Sequence, residues 1–339
     1  MAKIEFRFLN RDEVQELMPP VKTLLDVVER GLTAHGAREV VLPPKSHIDL
    51  DDRYNGHFNI LVGWSGPIDT AGVKVVGDYV DNYLQGLPSE VAMLTLYEPS
   101  IGIPIALMDA TDITTHRTGA VSGVGARHLA RRDSKVVGHI GARGTAFSNI
   151  AALAELFELK EVRLTSKRPE TREELVRRLR EELSVNAVPC SSVEETVQNA
   201  DIVIEATRLE KPAVLIRDEW LKDDCLLITY GWVMAVDPKT VKRASKIIVD
   251  DWEQCCKGGQ LYPLIESGDL TRDDIYSEIG QITSGQKAGR TEDDGLVIFW
   301  HRGFAISDIM LGHHIYGEAE RKGIGQVLTL FDRGDESLR

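Results

Sequence analysis

Val136-Val137-Gly138-His139-Ile140-Gly141-Ala142-Arg143-Gly144-Thr145-Ala146-Phe147 reads as an apolar strand, a glycine turn and a helix opening at Thr145. That order turns free helix N-terminal N–H groups, and the positive end of the helix dipole, toward whatever binds at the turn. A dinucleotide-binding βαβ unit asks for this geometry: one glycine turns tightly, a second lets backbone approach a pyrophosphate, and a third small residue lets helix pack on strand. Gly141 fills the first role and Ala146 the third, while the middle position holds Arg143 with Gly144 one residue late.

Downstream, strand-like and helix-like stretches alternate. Strands are expected at 136–141, 161–165, 187–190, 201–206, 225–230, 246–250 and 296–300, with helices between them, notably 146–159 and 172–183. Such alternation predicts a doubly wound parallel sheet of Rossmann type. Upstream the pattern differs. Ile4, Phe6 and Phe8 alternate with polar residues, Asn10 and Glu13 form a capping-box pattern, and residues 21–38 have helical periodicity. Four stretches with strand character follow, 58–64, 72–79, 91–98 and 103–109, separated by Gly, Pro and Asn turns. The fold class is therefore α/β: a Rossmann domain over 127–303 and a discontinuous mixed α+β domain formed by 1–126 and 304–339. The amphipathic stretch 304–321 has no strand expected after it, and 333–339 reads as a frayed tail.

With 339 residues and 42% hydrophobic content, the chain can build two ordinary cores. A net charge of −13 argues against nucleic acid or an anionic membrane as partner. Cys190, Cys225, Cys255 and Cys256 follow no metal-ligand spacing and suit reduced thiols, so no metal is expected and the expected location is cytoplasmic. No secretion signal is visible at the N-terminus, and no segment approaches the roughly 18 to 20 apolar residues of a membrane span.

Three cations stand out before the Rossmann unit: Lys45 after Pro43-Pro44, Lys74 among Val73, Val75 and Val76, and Arg117 early in an Ala/Gly-rich helical stretch, 111–131. Strand alternation puts Lys74 on one face with Val76. A lysine there either snorkels to solvent or enters a cavity where its pKa can fall. Arg117 near a helix start is electrostatically disfavoured, which hints at another role.

Gly72-Val73-Lys74, Asn82 with Gly86-Leu87-Pro88-Ser89, Gly102-Ile103-Pro104-Ile105-Ala106-Leu107-Met108-Asp109 and Arg117-Thr118-Gly119-Ala120 together resemble the ornithine cyclodeaminase/mu-crystallin family. So do Glu278-Ile279-Gly280, Gly289-Arg290 and Gly303-Phe304-Ala305-Ile306-Ser307-Asp308. The resemblance spans nearly the whole chain. It implies a homodimeric NAD(P)-dependent protein acting on a small amino, imino or 2-oxo acid. It also implies that Lys74 is catalytic and substrate-binding, that Arg117 grips the substrate carboxylate, and that Lys45 stands where the family has a second carboxylate-binding arginine. The first domain would then bind substrate and form the dimer through its strands, with substrate held between domains. The cofactor set would comprise Gly141, Arg143, Gly144, Thr145, Ala146, Ser166, Lys167, Arg168, Thr207 and Gly231.

Four departures from the family pattern shape the expectation. Arg143 replaces a glycine. Leu164-Thr165-Ser166-Lys167-Arg168 offers no acidic residue for ribose hydroxyls and suits a 2′-phosphate, so NADP is expected over NAD. Lys45 loses the bidentate grip of arginine. Finally, Gly231-Trp232-Val233-Met234-Ala235-Val236-Asp237-Pro238 places Val233 where cyclodeaminases and alanine dehydrogenases carry a proton-handling aspartate; Asp237 reads as a helix N-cap, and Trp232 would face substrate. Asp78, Asp81, His57 and His116 are candidates to replace that base, and Trp252 reads as core or cofactor-end packing. The expected function is NADP-dependent reduction of an imine or 2-oxo acid to an amino acid, or the reverse oxidation. The alternatives are a cyclodeaminase-type ammonia-lyase using NAD catalytically, and a non-catalytic binder like the mu-crystallins.

Overall fold

The structure is a computed structural model that describes residues 3–209 and 211–332. Two compact units emerge: Met1–Arg117 with Phe304–Arg339, and Thr118–Gly303.

The first unit begins with β1 (Lys3–Leu9), α1 (Arg11–Glu16) and α2 (Val21–Gly36). The Asn10–Glu13 capping box forms as its spacing requires: the Asn10 side chain accepts from the Glu13 N–H, and the Glu13 carboxylate accepts from the Asn10 N–H. Then come β2 (Val40–Val41), β3 (Ser46–Asp49), α3 (Asp51–Tyr54), β4 (Gly56–Ser65), β5 (Thr70–Tyr79), β6 (Glu90–Glu98) and β7 (Ile103–Asp109). A long helix, α4 (Thr111–Leu129), runs from this unit into the next.

The second unit continues with β8 (Val136–Ile140), α5 (Ala146–Leu156), β9 (Glu161–Thr165), α6 (Pro169–Leu183), β10 (Ala187–Pro189), α7 (Val193–Val197), β11 (Ile202–Glu205) and β12 (Leu226–Thr229). It finishes with α8 (Pro238–Arg243), β13 (Lys246–Val249), α9 (Trp252–Cys255), α10 (Tyr262–Glu266), β14 (Ser277–Glu278), α11 (Ile279–Thr283) and β15 (Val297–Trp300). The chain then returns to the first unit through α12 (Ala305–Lys322) and β16 (Gln326–Asp332).

The second unit's sheet has the order β10-β9-β8-β11-β12-β15-β13-β14, with every pairing parallel. Strands β11, β12 and β15 are buried at every position, as expected when both faces of a parallel sheet are covered. The strand order reverses between β8 and β11, which makes the C-terminal end of β8 the topological switch point.

The first unit's sheet runs β16-β1-β7-β6-β5-β4-β2, with β3 also on β4; β1 pairs with β7 in parallel and the remaining pairs are antiparallel. Here one expectation is corrected: a strand does follow the last helix. Gly323 caps α12 at φ 70°, and Gly325 at φ 90° turns the chain so that β16 lies antiparallel to β1. Both positions need the left-handed backbone that glycine adopts without strain. The stretch 333–339, expected to fray, lies outside the described residues.

Helix α12 packs on one face of the sheet, over β4, β5 and β6, and α2 packs on α12. Close approach is possible because small residues line the contact: a Cβ on Gly72 of β5 would lie 2.6 Å from Ile309 of α12, and one on Gly63 of β4 would lie 3.0 Å from Ile306. That proximity brings the polar side chain at position 308 down onto the sheet.

Candidate active site

Strand β5 alternates strictly, burying Thr70, Gly72, Lys74, Val76 and Asp78 on its inner face. Lys74 is 1% exposed, so the snorkelling option is excluded. Its Nζ donates to Asp308 Oδ1 at 2.6 Å and to Thr114 Oγ1 at 3.0 Å. Arg117 is buried one and a half turns into α4, and its Nε donates to the same Asp308 oxygen at 2.9 Å. Asp308 is fully buried, and its Oδ2 has no hydrogen-bond partner.

Two cations thus share one carboxylate, a local surplus of positive charge in a place almost closed to water. Burial pushes the Lys74 ammonium down to about 8; Asp308 opposes this and the Arg117 charge adds to it. A lysine near 8 holds or yields a proton at ordinary pH, the property required of a general acid or base. The surplus charge suits a small carboxylate, and arginine with lysine can bind it from two directions.

Asp308 carries no role in the sequence reading, although it lies within a quoted motif. Its signal was an acidic residue in the otherwise apolar first turns of α12, where Ala305, Ile306, Ile309 and Met310 are all buried. Lys45 lies in the turn before β3, half-buried. The other base candidates take ordinary partners. His57 Nε2 lies 3.9 Å from Asp78 Oδ2 across β4 and β5, Asp81 is exposed and accepts from Asn55, and burial holds His116 below its usual value.

In the second unit, the glycine turn sits at the switch point. Gly141 has φ 103°, and a Cβ there would meet Ala206 O at 2.8 Å. Gly144 has φ 55°, and a Cβ on it would meet no atom within 4 Å, so the turn opens outward as a cradle. Arg143 is exposed beside it. The Thr145 hydroxyl pairs with Tyr230 OH at 2.6 Å instead of capping α5. Asn149 Nδ2 donates both to Tyr230 OH and to His139 Nε2 (3.0 Å), and His139 Nδ1 lies 2.8 Å from Gly141 O. Burial lowers His139 to about 4, so it is neutral; Nδ1–H donates to the carbonyl and Nε2 accepts. This chain of polar groups ties the glycine turn to the end of β12, and its one sequence signal was His139, a polar letter inside the apolar strand β8.

After β9, Ser166 half-buries its hydroxyl by donating it to Arg168 O (2.7 Å), while Lys167 and Arg168 are exposed. A cavity of about 390 Å³ lined by Ala142, Arg143, Glu170, Thr171, Glu174 and Arg178 adjoins the turn. Thr207 and Gly231 converge on Glu205, which ends β11. Trp232 is half exposed, with the Arg302 guanidinium 5.2 Å from its ring centroid, and with Val233 and Met234 it lines a second cavity of about 280 Å³. Asp237 caps α8, accepting from Lys239 N–H at 2.9 Å. Trp252 packs against the core of this unit.

The family model for the ornithine cyclodeaminase/mu-crystallin family matches residues 5–323. The chain belongs to that family. It is 29% identical to an alanine dehydrogenase of Archaeoglobus fulgidus, over 97% of this chain and 99% of that protein. It is also 29% identical to the ketimine reductase mu-crystallin of Rattus norvegicus, over 91% of this chain and 96% of that one. Among solved structures, the Δ1-pyrroline-2-carboxylate reductase of Thermococcus litoralis, in complex with NADH and L-proline, superposes with a TM-score of 0.89 at 28% identity, covering 95% of this chain and 99% of that one.

Proposed function

We propose that this protein is a nicotinamide-dependent oxidoreductase that reduces an imine or a 2-oxo acid to an amino acid, and catalyses the reverse oxidation. The buried Lys74–Asp308–Arg117 cluster carries this reading, because its spare positive charge and its lysine near pH 8 match an α-imino or α-amino carboxylate. Arg117, with Lys45, holds the carboxylate. Lys74 delivers a proton to the substrate nitrogen as its carbon gains hydride, or removes one in the reverse direction. The bound nicotinamide supplies or accepts the hydride. The likeness to an imine reductase that binds NADH and L-proline, and to an alanine dehydrogenase, supports both directions.

The glycine turn fits a pyrophosphate through the open face of Gly144 and the N-terminus of α5. Ser166, Lys167 and Arg168 bind the 2′-phosphate of NADP, with Arg143 on the phosphates, Thr145, Ala146 and Gly141 shaping the turn, and Thr207 and Gly231 toward the nicotinamide end. Trp232 faces substrate. The first unit binds substrate and forms a homodimer: Val75 on β5 pairs with Met93 on β6, and with Val91 they leave an exposed apolar stripe on the outer sheet face. The test is NADPH oxidation against a panel of 2-oxo acids with ammonia or methylamine, and of cyclic imines. Turnover on at least one class is expected, and none on any would overturn the reading.

A further inference from the structure

Glu205 has no part in the chemistry above, yet four hydrogen bonds hold its carboxylate inside the second unit. It ends β11, is fully buried, and accepts from Thr207 N–H (2.8 Å), the Thr207 hydroxyl, the Thr229 hydroxyl (3.2 Å) and Gln260 Nε2. Gln260 cannot be turned round, because its Oε1 accepts the Ala235 N–H at 2.8 Å. One carboxylate oxygen therefore faces a backbone N–H and the other an amide NH2, an environment that asks for two acceptors. A glutamine at 205 would set its own NH2 against a donor in either orientation. Gly231 completes the arrangement, since a Cβ there would come within 2.9 Å of Glu205 Oε2. Burial raises the Glu205 carboxyl to about 7 against these hydrogen bonds, so ionisation is within reach at neutral pH and a nearby cation would favour it.

Resting on the cofactor reading above, the position has a consequence. The basic loop after β9 takes the adenosine side and the turn after β8 the pyrophosphate, so the other half of a dinucleotide runs over the ends of β11 and β12. Glu205 lies at the end of β11 and touches the end of β12 through Thr229. We propose that Glu205 supplies a buried negative charge at the nicotinamide end of the site, so that the protein binds the cationic, oxidised ring in preference to the neutral, reduced one. Tight binding of the oxidised form makes the bound reduced form the stronger hydride donor, which favours the reductive direction.

Titration calorimetry at pH 8, where the carboxylate is ionised, tests this with four ligands: NAD+, NADH, ADP-ribose, and benzamide adenine dinucleotide, which has the shape of NAD+ without its ring charge. The wild-type protein should bind NAD+ roughly tenfold more tightly than the benzamide analogue, the order expected of one screened charge pair. Glu205→Gln should erase that difference and lower the NAD+ to NADH preference, with ADP-ribose affinity unchanged. Equal wild-type affinity for NAD+ and the analogue would overturn the proposal, and that comparison decides alone where the variant does not fold. A parallel loss for all four ligands in the variant would also overturn it, assigning Glu205 a scaffold role. Failure of the wild-type protein to bind any of the four would instead remove the cofactor reading, and this inference with it.

Discussion

At the scale of single residues, Lys74 shows how surroundings change what a side chain can do. A strand lysine among valines is ordinary when its ammonium reaches water. Here it ends on Asp308, with a second cation on the same oxygen. Removing Asp308 would leave two buried cations without their carboxylate, whereas removing Lys74 or Arg117 leaves one balanced pair and takes away the proton carrier or the carboxylate grip. Lys74→Met and Arg117→Ala are expected to abolish turnover while leaving NADPH affinity intact; retention of more than about a tenth of wild-type activity, a loss under ~1.4 kcal/mol, would assign them a structural role. The pH profile carries the sign of the mechanism. Reduction needs Lys74 protonated, so its rate should fall as pH rises through about 8, and oxidation, which needs the free amine, should rise over the same range. Profiles of kcat/KM in both directions, measured with a substrate whose own nitrogen does not titrate there, check this.

At the scale of elements, the loops after the parallel strands carry the specificity. The loop after β9 closes on itself, with Ser166 and Thr171 both donating to Arg168 O, and it leaves Lys167 and Arg168 exposed. Residues 166–168 carry no carboxylate to receive ribose hydroxyls, and the nearest, Glu170 and Glu174, stand on α6 across the cavity, so this loop should prefer the phosphorylated cofactor. NADPH is expected to bind more tightly than NADH, and loss of a charge-assisted phosphate contact should cost on the order of 1.5–3 kcal/mol. Titration of both cofactors against tryptophan fluorescence, repeated on Lys167→Ser with Arg168→Ser, measures it. Equal affinities would refute the preference. The strand β16 belongs to this scale too. Its Gly323 and Gly325 turn was visible in the letters, but its Val327, Leu328 and Leu330 remain exposed, so no alternation of inside and outside announced a strand.

For the whole molecule, two expectations follow. The exposed stripe of Val75, Val91 and Met93 is larger than a solitary surface residue would explain; on the proposed homodimer, light scattering should give twice the chain mass for the wild-type protein and the single-chain mass for Met93→Lys with Val75→Lys, and a monomeric wild-type protein would refute the proposal. Ornithine should not be cyclised to proline. That reaction takes protons from and returns them to two amines, while Val233 offers no proton-handling group and Asp237 is committed to capping α8. Incubation with ornithine and catalytic NAD or NADP should release no ammonia; proline formed at an enzyme-like rate would show that another residue does the work.

The letters alone determined the parallel sheet, because the glycine turn and the βα alternation are local: backbone sterics and hydrophobic period act over a few residues. They also marked Lys74 and Arg117, whose charge is conspicuous in apolar surroundings. Tertiary structure decided what those charges meet. Asp308 reaches Lys74 across 234 positions only because Gly72 and Gly63 let α12 settle on the sheet. Glu205 finds Gln260 across 55 positions by the folding of separate strand-end loops. Burial and pairing are properties of the assembled molecule, so the proton affinities of Lys74, His139 and Glu205, and the chemistry that depends on them, exist only once the chain is folded.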